Sequence, residues 1–393
     1  MKKKLFVLLS LFCILIVVSF LTIKKVKSVA GPAPEKVEKR KEIPASKEVV
    51  AEKKETTPEK KTVFDEAQVV TKEVHPKVTL TGTELSEDAL PIGTVVKVKP
   101  VQGQDQWVEI ISDPKKGFIE KDILEPREIH IEQREEKRKP TLTQEAFKEN
   151  LDKDLQEFVK EKGGDISIYA EAVDQSFSYS YNGDKINRTA SSIKLPFITY
   201  LMTLIDEKKI DLNTQLTYTA NFKLDGTGII QFEPVGGQYS VGKLAELVIR
   251  YSDNIAYVML LNYVGEQEFI NYLGRLDSAS PNNRAFSSPR ILTKAMNYVY
   301  THQDKSKNIN TLYNWLQQSI FDDGVAVGLP GVDVAHKTGW MPMYAVSNDI
   351  ALVKDTKKPY FVTIMTGGYD ESYSEKSIGD IAKIVDSQVL QLK

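Results

Sequence analysis

Cysteine is nearly missing: the 393 residues include one, Cys13, within an apolar stretch close to the N-terminus. A single thiol excludes an internal disulfide and any zinc or redox site built from cysteines. Histidine is scarce as well, with His75, His130, His302 and His336 and no two of them at metal-ligand spacing, so no metal and no cofactor is expected. Net charge is almost absent, Lys+Arg 52 against Asp+Glu 54 giving -2 at pH 7, which leaves no overall basic field to hold nucleic acid. What stays open is metal-free side-chain chemistry or pure binding. At 41% hydrophobic residues the chain can fill at least one core, and its length suits two ordinary domains plus attachments.

Lys2, Lys3 and Lys4 precede an apolar run from Leu5 to Ile23, long enough as a helix to match a bilayer core. Residues 1–30 therefore read as a membrane anchor. Ser28-Val29-Ala30 places small residues where a signal peptidase reads them, so a cleaved leader is the alternative. Lys24, Lys25 and Lys27 follow the run, and with lysines at both ends the charge bias sets no orientation. Residues 31–63 are rich in Lys, Glu, Pro, Ala, Val and Thr and contain no aromatic residue, too little apolar surface to fold alone. They read as an extended stalk.

Residues 64–126 change pattern, to short β-rich runs separated by turn signals: Val78 to Leu80, Gly93 to Val98, Trp107 to Ile111 and Lys116 to Ile119. That spacing predicts a compact antiparallel barrel. Trp107 reads as a core residue. The order of a Gly-Thr-Val strand, a Trp-Val strand and a Gly-Phe-Ile strand ending in Asp122-Ile123-Leu124 resembles the bacterial SH3-like domains of exported cell-wall proteins. The resemblance implies a cell-wall or protein ligand for this domain, with a structural spacer as the alternative. Residues 127–141, densely charged from Glu132 to Arg138, read as a solvated connector.

The chemistry is concentrated in residues 142–393. Ser191-Ser192-Ile193-Lys194 puts an amine within reach of a hydroxyl if both lie on one helical face. The spacing alone is weak, since Ser112 to Lys115 and Ser240 to Lys243 repeat it. Two later motifs change its weight: Ser252-Asp253-Asn254, within an apolar helical pattern, and Lys337-Thr338-Gly339, on a predicted strand. In this order the three resemble the signature set of class A β-lactamases and penicillin-binding proteins. Gly226-Thr227-Gly228 and the capped helix start Ser287-Ser288-Pro289-Arg290 add to the likeness.

The resemblance implies an α+β fold, an antiparallel sheet beside a helical region, and an acyl-transfer site. Ser191 would be the nucleophile and Lys194 its base, neutral through burial and the nearby charge of Lys337. Ser252 would relay a proton to the leaving nitrogen. Asn254 would meet the substrate amide and contact Lys194, while Asp253 would fix its loop. Lys337 and Thr338 would face a substrate carboxylate, and Gly339 would let the strand approach the nucleophile. The backbone N–H groups of Ser191 and Trp340 would form the oxyanion hole. The Trp340 side chain would either narrow the cleft or point into packing. His336 reads as a bystander.

One family feature is missing. Efficient class A β-lactamases carry a loop glutamate, in a Glu-x-x-Leu-Asn pattern, that activates the deacylating water. Here the chain runs from Arg275 to Phe286 through a shortened loop whose one carboxylate is Asp277, a weak candidate for a substitute. The expectation is a membrane-attached, extracytoplasmic serine hydrolase or acyltransferase, secreted if its leader is cleaved. It would acylate with β-lactams or with peptidoglycan-type D-alanyl substrates and release β-lactams slowly. The rivals are a true β-lactamase and a catalytically silent cell-wall scaffold.

Overall fold

The computed structural model describes residues 67–393, apart from 87, 88, 113, 114 and 356. The expected anchor and stalk lie outside the described residues. Among the described residues no helix is long and apolar enough to cross a membrane.

The small β module is a five-stranded antiparallel sheet: β1 (Ala67–Val70), β2 (Val95–Val101), β3 (Gln104–Ile110), β4 (Gly117–Glu120) and β5 (Leu124–Pro126), in the order β4-β3-β2-β1-β5. Alternation along the strands sends Val96, Val98, Val108 and Ile110 to one face, where they pack with Val70, Leu90 and Ile119. Trp107 is displaced from that core for the same reason. As the neighbour of Val108 it faces the other way, half-buried, with the Lys77 ammonium 4.2 Å from its ring centre.

The expected connector is a helix, α1 (Arg127–Lys137). It buries no residue fully, so its docking is polar. Arg134 donates to Asp355 (3.0 Å) and to Asp386 (2.7 Å), and Arg127 donates to the Gly331 carbonyl (2.7 Å). The Asp355 side chain is only 2% exposed, and removing one partner of such a buried pair costs roughly 3–5 kcal/mol. The charge run was read as solvated because nothing in its own composition reveals the aspartates it meets more than two hundred residues later.

The larger part begins with α2 (Gln144–Lys162), β6 (Asp165–Ala172) and β7 (Ser178–Tyr181). A helical region follows: the short strand β8 (Asn187–Arg188), α3 (Lys194–Asp206), the small hairpin β9 (Gln215–Thr217) and β10 (Gln238–Ser240), α4 (Val241–Arg250), α5 (Asn254–Val264) and α6 (Glu266–Leu276). It ends with β11 (Phe286–Ser287), α7 (Pro289–His302), α8 (Lys307–Leu316) and α9 (Val325–Gly328). The predicted cap is present on α7, where the Ser288 side chain accepts from the Ile291 N–H. The chain returns through β12 (Val334–Met341), β13 (Val346–Val353) and β14 (Tyr360–Gly367) and closes with α10 (Glu371–Val389).

The main sheet has the order β12-β13-β14-β6-β7, antiparallel throughout. All of β13 is buried because both faces of the sheet are covered. Its Ile350 and Leu352 pack with the helical region, while Ala351 and Val353 pack with α2 and α10. At the centre of the helical region, α3 is apolar nearly all round and buried from Lys194 to Met202. A lysine at the first position of such a helix has no route to solvent along it.

Candidate active site

Ser191 lies in a tight turn, Ala190–Ile193, that feeds directly into α3, so Lys194 begins the helix instead of sharing a helical face with the serine. Ala190 is held in the left-handed region (φ 46°), a conformation that persists only where its surroundings impose it. Asn348 of β13 does so from beneath, donating to the carbonyls of Arg188 and Thr189 (2.9 Å each). From the front, Gly339 of β12 sits so close that a Cβ there would meet Ser192 N at 2.5 Å and Ser191 N at 2.9 Å. Only a residue without a side chain lets β12 lie this close to the Ala190–Ile193 turn.

Ser252, Asp253 and Asn254 form the bend between α4 and α5. Ser252 is also left-handed (φ 48°), and Asp253 carries the bend. Its carboxylate caps α5 by accepting from Ala256 N (2.8 Å) and ties down the Gly226-Thr227-Gly228 loop by accepting from Ile229 N (2.7 Å) and Ile230 N (2.9 Å). In return, Thr227 Oγ1 donates to the Ser252 carbonyl (2.7 Å).

Lys194 reaches this bend. Its Nζ lies 2.6 Å from the Ser252 carbonyl oxygen, 3.2 Å from Ser252 Oγ and 2.7 Å from Asn254 Oδ1. Burial, and secondarily the charge of Lys337, hold the amine well below its ordinary value, against an opposing pull from Asp253. A low value is what a base needs near neutral pH. Lys337 is itself fully buried and donates to its neighbour's carbonyl, Thr338 O, at 2.8 Å. Burial pushes it down to about 8, although Asp349 and Asp323 pull the other way.

Ser191, Lys194, Ser252, Asn254, Thr338 and Trp340 line one cleft of about 700 Å³. Lys337 and Gly339 are not in its lining, although the charge of the buried Lys337 reaches Lys194. The Trp340 side chain is 39% exposed and belongs to the cleft wall, not to packing.

The shortened loop turns Asp277 away. Its carboxylate pairs with Lys294 (2.7 Å) and accepts from Ala279 N (2.8 Å), and it is not part of the cleft lining. The loop presents Arg284 and Ala285 to the cleft instead, joined to the nucleophile turn by Thr189 N donating to the Ala285 carbonyl (3.0 Å).

Two cleft residues had no signal in the sequence. Asp323 and Glu375 line the wall together with Thr338. Burial holds the Asp323 carboxyl above its ordinary value, and burial together with Asp323 pushes Glu375 up to about 8. Both shifts favour the protonated form of the pair. Neither residue belongs to a short motif, and α10 brings Glu375 from the far end of the chain.

Comparison with known proteins agrees with this geometry. The model of the beta-lactamase enzyme family matches residues 150–389. Beta-lactamase ROB-1 of Haemophilus influenzae is 27% identical over 252 residues, covering 56% of this chain and 78% of its own length. A beta-lactamase of Bacillus licheniformis is 25% identical over 249 residues, with coverage of 56% and 78%. Among solved structures, PBP-A superimposes with a TM-score of 0.56 at 24% identity, covering 60% of this chain and 94% of PBP-A. A PBP-A variant solved as an acyl-enzyme complex with penicillin G gives 0.55 at 23% identity, again over 60% and 94%. The structural likenesses establish the fold, and the family match spans the segment that carries all three motifs. With the serine, the buried lysine and the second serine gathered in one cleft inside that segment, the protein is a serine hydrolase of the beta-lactamase enzyme family.

Proposed function

We propose that this enzyme forms an acyl-Ser191 adduct with β-lactams or with carboxylate-bearing D-alanyl substrates of the cell envelope, and that it deacylates β-lactam adducts slowly. The observation that carries the reading is the contrast within the cleft: the acylating groups are together, while the loop facing them contributes Arg284 and Ala285 and no carboxylate.

In acylation, neutral Lys194 takes the Ser191 hydroxyl proton as Oγ attacks the carbonyl carbon. The N–H groups of Ser191 and Trp340 receive the developing oxyanion. As the C–N bond breaks, Ser252 Oγ passes a proton from Lys194, 3.2 Å away, to the leaving nitrogen. Asn254 orients both the amine and the substrate amide. Thr338, with Lys337 behind it, takes the substrate carboxylate. Hydrolysis of the ester then needs a water activated by a base, and the loop that in class A enzymes supplies one contributes only Arg284 and Ala285 to this cleft.

The wider setting belongs to the same proposal: an N-terminal membrane anchor, the folded part outside the cytoplasm, and an SH3-like module that contacts cell wall. An envelope substrate fits these features together.

The test is intact-protein mass spectrometry of the full chain with and without benzylpenicillin, followed over time beside Ser191→Ala. A persistent one-equivalent adduct that the variant lacks is the expected result. Turnover within seconds would refute slow deacylation in favour of a true β-lactamase. No adduct in a folded protein would refute acylation by β-lactams and favour the silent scaffold.

A further inference from the structure

Lys115 has no motif around it beyond a chance Ser-x-x-Lys spacing, yet it joins the small β module to buried charges on and beside β12. It lies in the loop between β3 and β4, and its ammonium pairs with the carboxylate of Asp322, the two side chains being 12% and 15% exposed. Asp322 Oδ1 is 3.4 Å from His336 Nε2, and His336 Nδ1 is 2.9 Å from Asp349 Oδ2. His336 is 1% exposed and Asp349 fully buried.

This chain of four charges is built into the strand that carries Lys337-Thr338-Gly339. His336 directly precedes Lys337 on β12, and Asp349 stands opposite Thr338 in the β12–β13 register, so the His336–Asp349 contact is a diagonal clamp across the two strands. Asp349 Oδ2 also accepts from Val325 N (2.8 Å), and a Cβ on Gly324 would meet that oxygen at 2.1 Å, so the segment Asp322 to Val325 is pressed against the clamp. Asp323, next to Asp322, lines the cleft. Although burial works against it, the carboxylates of Asp349 and Asp322 push His336 up to about 10, so it is an imidazolium bridging two anions at neutral pH.

Lys337 and His336 both lie near Asp349, while Asp322, at the other end, has His336 on one side and Lys115 on the other. A partly buried carboxylate that loses such a partner is strongly disfavoured. Lys115 comes from outside the family fold: the matched family segment begins at residue 150.

We propose that Lys115 of the N-terminal β module is a positioning residue for the catalytic cleft, setting the placement of the Lys337-Thr338-Gly339 strand and of Asp323 through Asp322 and His336. The β module is then a working part of the enzyme and not only a spacer, and a ligand that displaced its β3–β4 loop would alter substrate binding. This inference rests on the acylation proposed above.

The experiment compares the full wild-type chain with Lys115→Met, Lys115→Arg and, as a control on the same module, Lys99→Met, whose ion pair with Glu109 is exposed. Stopped-flow acylation by a chromogenic cephalosporin separates the binding constant from the acylation rate constant. For Lys115→Met we expect binding weakened by about tenfold, a usual coupling within one ion-pair network, with the acylation rate constant within twofold of wild type. Lys115→Arg should restore binding, and Lys99→Met should match wild type. Amide NMR shifts of Lys337 to Trp340 should move in Lys115→Met and return in Lys115→Arg. Unchanged binding and unchanged shifts in folded Lys115→Met would overturn the inference, as would a loss of activity that only follows the folded fraction. If wild type forms no adduct, the acylation proposal fails by itself, and the amide shifts still decide whether Lys115 sets the strand.

Discussion

Gly339→Ala adds one methyl group where β12 meets the nucleophile turn. The new Cβ would stand 2.5 Å from Ser192 N, 2.9 Å from Ser191 N and 3.0 Å from the Thr189 carbonyl oxygen. All three are backbone atoms, so no side-chain rotation relieves the contact. Ordinary separation needs about 3.4 Å, so strand or turn must move by about 1 Å. The strand is pinned across its length by β13, and the turn is pinned by Asn348, so the displacement is shared between the strand and the Ser191 turn, the two parts of the proposed oxyanion site. Overpacking of this kind costs about 1–3 kcal/mol of stability. A misplacement of about 1 Å between reacting groups costs about 100-fold in rate. Single-turnover acylation by a chromogenic cephalosporin, with urea denaturation alongside, measures both. A variant that acylates within threefold of wild type at unchanged stability would refute the close approach on which the site's geometry depends.

Two further outcomes follow from the same structure. Lys337 is held at about 8 when folded, below the 10.5 of an exposed lysine, so between these values the unfolded chain binds more protons and stability rises with pH. The penalty is fully present below pH 8 and is relieved as pH climbs through 10.5, so the stability advantage of Lys337→Met over wild type should shrink across that window by up to a few kcal/mol. Urea titrations at several pH values check this, and a pH-independent difference would show that burial does not depress Lys337. Ala285→Glu places a carboxylate on the loop that faces the cleft. A positioned general base contributes about 100-fold or more, and even imperfect placement should shorten the life of the benzylpenicillin adduct at least tenfold. An unchanged adduct lifetime in a folded variant would show that the missing loop carboxylate is not what limits deacylation.

The three motifs that meet at the cleft were legible because each is a run of a few residues with a local geometry. Ser191 to Lys194 is a turn into a helix, Asp253 is a cap, and Gly339 is a close approach. The helix cap at Ser288 was legible for the same reason, since capping acts within a few residues. Trp107 went the other way because alternation, with Val108 and Ile110 facing the core, decides which neighbour of a pair is buried.

Tertiary structure decided the partners of charges. An arginine in α1 looks solvated until Asp355 and Asp386 are placed against it. His336 looks like a bystander until the β12–β13 register sets Asp349 beside it and the β module brings Lys115 to Asp322. Asp323 and Glu375 share a wall of the cleft only because α10 folds back along the sheet. The sequence by itself determined which groups could do chemistry, because reactivity is written in residue type and short spacing. Which of them are desolvated, paired or set against one another was decided by the fold, because electrostatic energy depends on distance and burial, and neither is a property of a segment alone.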